Sequence, residues 1–350
     1  MCRRLVPPGP GPAARGDPAL GRGPSHGEAA LGLRSYRHVV GSKSWHTITT
    51  VVSACNCPAW YAGAVQVVVI INQKGGVGKT TACANLGAAL ALAGRRVLLM
   101  DLDPQAHLSI SFDRMPAPGE PSVYSLLAGR HAIEEVVRPT SMEGLSVAPT
   151  NLDLTGAETE FAAEIGRETL LRNALEKLRA ADAAEIVLLD CPPSLGLLSL
   201  NAMVAADHVL IPVQAEFFAL QGMAQLLDVI ERVQRRLNPR LNLLGILVGL
   251  YTKQRSLSRE VLKELHDHFG ALLFPALVRV NVRLAEAPSH GLTIFEYAPD
   301  SSGATDFSAA AAELERRLGL PPVARAAQGA SAARRERAPA AAPAQESAVG

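Results

Sequence analysis

The sequence predicts an α/β protein built on a mostly parallel, twisted sheet with helices on both faces. Two observations carry this. Short β-branched or leucine-rich runs, of the kind that fill strands buried on both sides, recur along the chain. Stretches with apolar residues at helical spacing separate most of them. Strand and helix alternating in this order require right-handed crossovers, which lay the helices over both sides of the sheet.

The first strand is expected at 67–71, followed by a glycine-rich turn. The helix after it places Ala82, Leu86, Ala89, Leu90 and Ala93 on one face, with Gly94 as its stop. The second strand, 96–100, ends at Asp101-Leu102-Asp103. Further strands are expected at 145–148, 186–189, 208–213 and 243–250. The 223–237 stretch reads as a helix with a stripe of Met223, Leu226, Leu227, Ile230, Val233 and Leu237. In open sheets of this kind ligands sit at the carboxyl ends of the strands, and every chemical motif in the chain falls at such an end.

This pattern makes residues 65–320 one domain. Residues 1–64 begin with a Pro/Gly run at 7–12 and carry scattered Arg and Gly without a period that could bury a face, so they read as a disordered tail. The abrupt onset near Val65, a residue whose codon can serve as a start, adds the expectation that 1–64 is not translated; a natural N-terminal peptide beginning at Met1 overturns it. Residues 321–350 read as a second disordered tail, rich in Ala and Pro.

The net charge of +1 is unevenly spread: the two tails carry +5 and +2, leaving the core at −6. An acidic core meets DNA only through a local patch or through its tails. Five cysteines (Cys2, Cys55, Cys57, Cys83, Cys191) scattered over 350 residues are not a disulfide framework, and the Cys55-x-Cys57 pair has no second pair at metal-ligand spacing. His266 and His268 read as solvent-facing helix positions. No apolar run is long enough for a membrane span, and the N-terminus lacks an apolar signal region, so a cytoplasmic protein with no membrane partner is expected.

Residues 72–81 read Asn-Gln-Lys-Gly-Gly-Val-Gly-Lys-Thr-Thr between a strand and a helix. Glycines there let backbone N–H groups turn inward around an anion, and the helix N-terminus adds partial positive charge. Gly75, Gly76 and Gly78 meet the first need, with Val77 between them and Thr81 following. Lys79 can reach the β and γ phosphates, and the Thr80 hydroxyl can ligate Mg²⁺. This makes the chain a P-loop NTPase. Phosphoryl transfer also needs acids for the metal and for a positioned water. Asp101 and Asp103, two apart on one side of an extended segment, and Asp190, at the end of the 186–189 run, are the candidates.

The loop form K-G-G-x-G-K-[ST]-T, with Gln73 where the general motif has Gly, resembles the deviant Walker A motif of the ParA, MinD and nitrogenase iron-protein superfamily. The strings D-L-D-P-Q (101–105), D-C-P-P-S-L-G (190–196), P-V-Q-A-E-F-F-A-L (212–220) and N-V-R-L-A-E-A-P-S-H-G (281–291) resemble the ParA family specifically, over nearly the whole core.

The resemblance implies an ATPase that hydrolyses ATP slowly with Mg²⁺ and is stimulated by partners. It implies that Lys74 crosses a dimer interface to the phosphates of the other subunit's nucleotide, so that ATP joins two subunits. It implies that Asp103 orients the attacking water, that Asp190 is the Walker B acid and, with Asp101, holds Mg²⁺ through water, and that Pro212, Gln214 and Glu216 border the nucleotide base. A ParB-like partner, non-specific double-stranded DNA and a nucleoid-associated ATP-bound state follow from the same resemblance, with Arg255 and Arg283 matching the family's DNA-contacting arginines.

Some positions depart from the family. Ala106-His107 stands where members often have Gly-Asn. Val280 replaces one Arg of an R-N-V-R string, and the 297–303 segment, Tyr-Ala-Pro-Asp-Ser-Ser-Gly, lacks the basic residues of Y-D-P-R-S-[RK]-G. The 232–283 stretch nevertheless holds ten Lys/Arg. Two functions therefore stay open: chromosome or plasmid partitioning through DNA, and positioning of a protein cargo. Within the superfamily, 311–320 closes the domain instead of forming a membrane helix, and 1–64 lacks the pattern of a helix-turn-helix domain.

Overall fold

A five-residue strand with no exposed position must lie deep in a sheet, and Gln66–Ile70 (β1) does. Val67 and Val69 join one apolar cluster, Val68 and Ile70 the other, as the two-residue period of a strand requires. The computed structural model describes residues 65–181, 183–216 and 219–323. The expectations placed on residues 1–64 and 324–350, including Cys2, Cys55 and Cys57, lie outside the described residues.

After β1 come α1 (Lys79–Leu92), β2 (Val97–Asp101), β3 (Arg138–Pro139), β4 (Leu145–Ala148), α2 (Leu170–Ala180), β5 (Ile186–Asp190) and α3 (Leu197–Ala205). Then follow β6 (His208–Gln214), α4 (Ala219–Arg236), β7 (Asn242–Tyr251), α5 (Ser256–Phe269), β8 (Leu273–Arg279) and α6 (Ser302–Leu318). Helices of fewer than nine residues fill several of the connections. The sheet order is β3-β4-β2-β5-β1-β6-β7-β8. Every neighbouring pair is parallel except β3 with β4. α1 and α6 pack on one face, and α2 to α5 on the other. The α/β fold with helices on both faces is as the sequence predicts.

Two strands were not expected, β3 and β8. Both are edge strands, where burial is partial and the apolar signal weak, and β8 carries an exposed Pro275, which an edge tolerates. α1 also differs from expectation. It is buried nearly all round, not along one stripe, because small residues let it lie tight between the sheet and α6. At Gly87 a Cβ would stand 2.5 Å from the Leu99 side chain on β2. The helix stops at Gly94, whose φ of 93° is the left-handed conformation glycine adopts freely.

At the amino ends of the strands, Asp207 is a buried knot. Its carboxylate accepts hydrogen bonds from the Val67 N–H (3.0 Å), from Arg179 on α2 (2.7 Å) and from Arg240 before β7 (2.7 Å). It ties β1, α2 and the β6–β7 crossover together on the side away from the chemistry.

Candidate nucleotide site

The site forms where β1 hands over to α1. Gly76 and Gly78 have φ of 72° and 86°, so only glycine takes these two positions without strain. A Cβ built on Gly75, Gly76 or Gly78 would meet nothing within 4 Å, so the concave side of the loop is open. Gly78 caps α1 without any side-chain hydrogen bond, leaving the first-turn N–H groups of a fourteen-residue helix free for an anion.

The loop is anchored at its start by Asn72. Its amide donates to the Pro212 carbonyl at 2.7 Å, and its Oδ1 accepts the Lys74 N–H at 3.0 Å. This joins β1 to β6 across 140 residues of sequence. Lys79 is 7% exposed and its Nζ donates to the Lys74 carbonyl at 3.2 Å. Burial lowers its pKa, while the nearby Asp190 and Asp103 carboxylates favour the charged form.

Register brings the acids together. β5 lies between β1 and β2, and Asp190 is the register partner of Ile70 on one side and of Asp101 on the other. Neither carboxylate is exposed to solvent. Asp190 has no hydrogen bond of ordinary geometry to either oxygen. Burial first, and then the Asp101 carboxylate, push its pKa well above the usual range, with the Thr80 hydroxyl and Lys79 ammonium pulling the other way. Burial also raises Asp101, to about 6, against hydrogen bonds from Ser109 and Asp103.

Two adjacent desolvated acids beside Thr80 fit a divalent cation, whose charge would restore both to the ionised form. Among the described residues no group of three or more His, Cys, Asp or Glu could hold a metal ion.

Asp103 lies just beyond β2, mostly buried, with Oδ1 accepting the Gln105 N–H at 3.0 Å. The next turn is strained. Ala106 has φ of 54°, a left-handed conformation that costs an ordinary residue roughly 1–2 kcal/mol and glycine almost nothing. The departure noticed in the sequence therefore sits at a position whose backbone suits glycine. Ser109, which the sequence reading passed over, donates from both its N–H (2.8 Å) and its hydroxyl (2.7 Å) to Asp101 Oδ2. Nothing local in the sequence marks it.

The expected base-side residues separate. Pro212 lines a cavity of about 120 Å³ with Val77, Gly78, Thr81 and Asn281, directly behind the loop. Gln214 closes β6, half-buried, outside that lining. Glu216 forms an ion pair with Lys74, both side chains being about two-fifths exposed. Phe217 and Phe218 lie outside the described residues. Larger depressions, of about 580 and 1040 Å³, are at the opposite pole around Arg96 and Gly144, away from the carboxyl ends.

Arg255 and Arg283 come to the same end of the molecule. Tyr251 on β7 is the register partner of Arg279 on β8, and each arginine follows its strand by four residues. Arg255 is exposed and enters no ion pair among the described residues, whereas Arg283 pairs with Glu286 at 3.1 Å and lies over the Tyr297 ring. Part of the basic stretch is paired: Arg235 with Glu231, Arg240 with Asp207 and Arg279 with Asp306. His266 is exposed as expected, while His268 is half-buried, 3.4 Å from Glu264.

Comparison with known proteins agrees with this geometry. A family profile described as an AAA domain matches residues 65–243. The chromosome partitioning protein ParA of Caulobacter vibrioides is 43% identical over 253 residues, covering 72% of this chain and 95% of that protein. The chromosome-partitioning ATPase Soj of Treponema pallidum is 43% identical over 254 residues, 73% of this chain and 98% of its own. Among solved structures, a cobyrinic acid a,c-diamide synthase from Mycobacterium smegmatis with bound ADP and magnesium superposes with a TM-score of 0.62 at 37% identity, over 73% of this chain and 96% of that one. With the phosphate loop, the paired strand-end acids and relatives of this identity over most of its length, the chain belongs to the ParA family of ATPases within the ParA/MinD superfamily.

Proposed function

We propose that this ATPase works as an ATP-dependent sandwich dimer that binds DNA without sequence preference and partitions a chromosome or plasmid with a ParB-like partner. The observation that supports its ATPase core is the gathering of Lys79, Asp101, Asp103 and Asp190 at the strand ends beside the phosphate loop.

The chain's own residues divide the work. The loop N–H groups and Lys79 bind the phosphates, and Asp103 holds a water for attack on the γ-phosphorus. Thr80 and, through water, Asp101 and Asp190 would hold Mg²⁺, which would supply charge neutralisation for the phosphates. Lys74, exposed at the rim, is free to reach another subunit's nucleotide once it leaves Glu216. Among the described residues no helix is long and apolar enough to cross a membrane, and a cytoplasmic, nucleoid-associated protein is part of the same proposal.

A second reading, positioning of a protein cargo, draws support from Val280 and Asp300, which stand where the family pattern is basic, and from the ion pairs of Arg279 and Arg283. One titration separates the two. DNA anisotropy is measured with and without ATP at several salt concentrations for the parent, Arg255→Glu and Arg283→Glu. Partitioning through DNA requires affinity that depends on ATP, falls steeply with salt, ignores sequence and weakens in both variants. Absence of ATP-dependent binding in the parent favours the protein cargo.

A further inference from the structure

We propose that Ser109 is a positioning residue for ATP hydrolysis, holding Asp101 and the segment that carries Asp103 in the orientation the reaction uses. The proposal rests on the reading of Asp103 as the carboxylate that orients water.

Ser109 is fully buried and makes three hydrogen bonds that converge on the site. Its N–H and its hydroxyl both donate to one oxygen of Asp101, Oδ2, at 2.8 and 2.7 Å. The other oxygen, Oδ1, is left to the Asp103 N–H at 3.2 Å. The Ser109 hydroxyl oxygen in turn accepts the Thr150 N–H at 2.9 Å, just past the end of β4. The carboxylate is thus clamped from one side, so that Oδ1 faces Asp103.

The clamp spans the loop that needs it. Residues 102–108 leave β2, pass Asp103 and the strained Ala106, and reach Ser109 next to the buried Leu108. With Ser109, the loop is closed on itself through Asp101 and pinned to the segment that follows β4 through Thr150. A water-orienting carboxylate must be placed to within a fraction of an ångström to be effective. The hydrogen bonds of the Ser109 N–H and hydroxyl go to Asp101 and Thr150 and not to the phosphate loop, so its loss should slow the chemical step more than it weakens binding.

The test measures turnover at saturating ATP and Mg²⁺, ATP affinity and melting temperature. It uses the full chain as parent, Ser109→Ala, Ser109→Thr, Asp103→Ala and the Ser109→Ala/Asp103→Ala pair. The proposal expects kcat of Ser109→Ala to fall by about 10- to 100-fold, as misplacement of a reacting group does. ATP affinity should stay within about threefold, and Ser109→Thr, which keeps the hydroxyl, should recover to within about threefold of the parent. Adding Ser109→Ala to Asp103→Ala should slow turnover by much less than Ser109→Ala does in the parent, since Ser109 acts largely by placing Asp103.

Unchanged kcat in Ser109→Ala overturns the proposal, as does loss of affinity with kcat intact. So does a Ser109→Thr variant as slow as Ser109→Ala, or an Ala variant that melts below the assay temperature, since Ser109 is then a stability residue. If Asp103→Ala is inactive while Ser109→Ala is normal, only this proposal fails. If Asp103→Ala turns over at the parent rate, the reading of Asp103 fails and takes the proposal with it.

Discussion

Asp101 and Asp190 are register partners across the β2–β5 pair, two fully buried carboxylates side by side at the ends of neighbouring parallel strands. Burial raises the pKa of both, and the Asp101 carboxylate raises that of Asp190 further. Such an arrangement destabilises the empty site and is relieved by a cation, which makes the two acids a measure of metal binding.

Replacement of Asp190 by Asn removes one buried charge while keeping the shape. Without nucleotide, Asp190→Asn at pH 8 should melt no lower than the parent. With Mg²⁺ and ATP the parent's melting temperature should rise and that of the variant should not, because binding to the folded state alone carries the shift. Thermal melts with and without Mg²⁺-ATP give the answer, and an equal rise in both proteins removes Asp190 from the metal site.

Lys79 and Asp103 should separate binding from chemistry. Lys79→Ala removes the buried cation that faces the phosphates, and ATP affinity should drop by about 100-fold or more. Asp103→Ala should bind ATP within about threefold of the parent and lose about 100-fold or more in turnover. Calorimetric titration with phosphate-release kinetics reads both.

For Lys74 the expectation concerns assembly. Its pairing with Glu216 is solvent-exposed, so Lys74→Ala should change stability by less than about 1 kcal/mol. It should still bind ATP. Light scattering in the presence of ATP should then show a dimer for the parent and a monomer for the variant; a variant that dimerises as the parent does excludes the trans-acting role.

His208 gives the fold a defined acid limit. It is buried at the start of β6, within 3.0 Å of Gln66 Oε1, and burial lowers its pKa to about 4 against the nearby Asp207 carboxylate. Below pH 6.5 the unfolded chain takes up a proton that the folded chain refuses. The contribution of neutral His208 is therefore fully present above pH 6.5 and is lost as pH falls toward 4, by about 3 kcal/mol in all. The stability difference between parent and His208→Gln, from urea melts at pH 7.5 and pH 4.5, should shrink or reverse at the lower value.

Asp207 should be the costliest single carboxylate for stability. Asp207→Ala removes one acceptor from Arg179, from the half-exposed Arg240 and from the buried Val67 N–H, a loss of about 1–3 kcal/mol. Since the knot lies at the pole opposite the phosphate loop, ATP affinity at a temperature where the variant is folded should stay within about threefold.

The parts of the site that the sequence made legible are local in the chain. The phosphate loop occupies ten consecutive residues, and Asp101, Asp103 and Asp190 stand directly at the ends of strands whose apolar runs announce them. What stayed hidden depends on partners far away. Asn72 finds Pro212, Asp207 finds Val67, and Ser109 matters only because Thr150 and Asp101 come to it. Edge strands β3 and β8 escaped because partial burial needs no strong apolar run. The burial of α1 on all sides reflects α6, more than 200 residues later, closing over it.

The sheet register that sets Asp101 beside Asp190 has a consequence for how the chain is checked. A slip of one residue in β2 would present Met100 in place of Asp101 and turn every side chain of the strand to the other face. A molecule paired in the wrong register would have lost the metal end of its nucleotide site, and nucleotide would give it no added stability. Ligand binding then acts as quality control, enriching correctly paired molecules and leaving mispaired ones open to proteolysis.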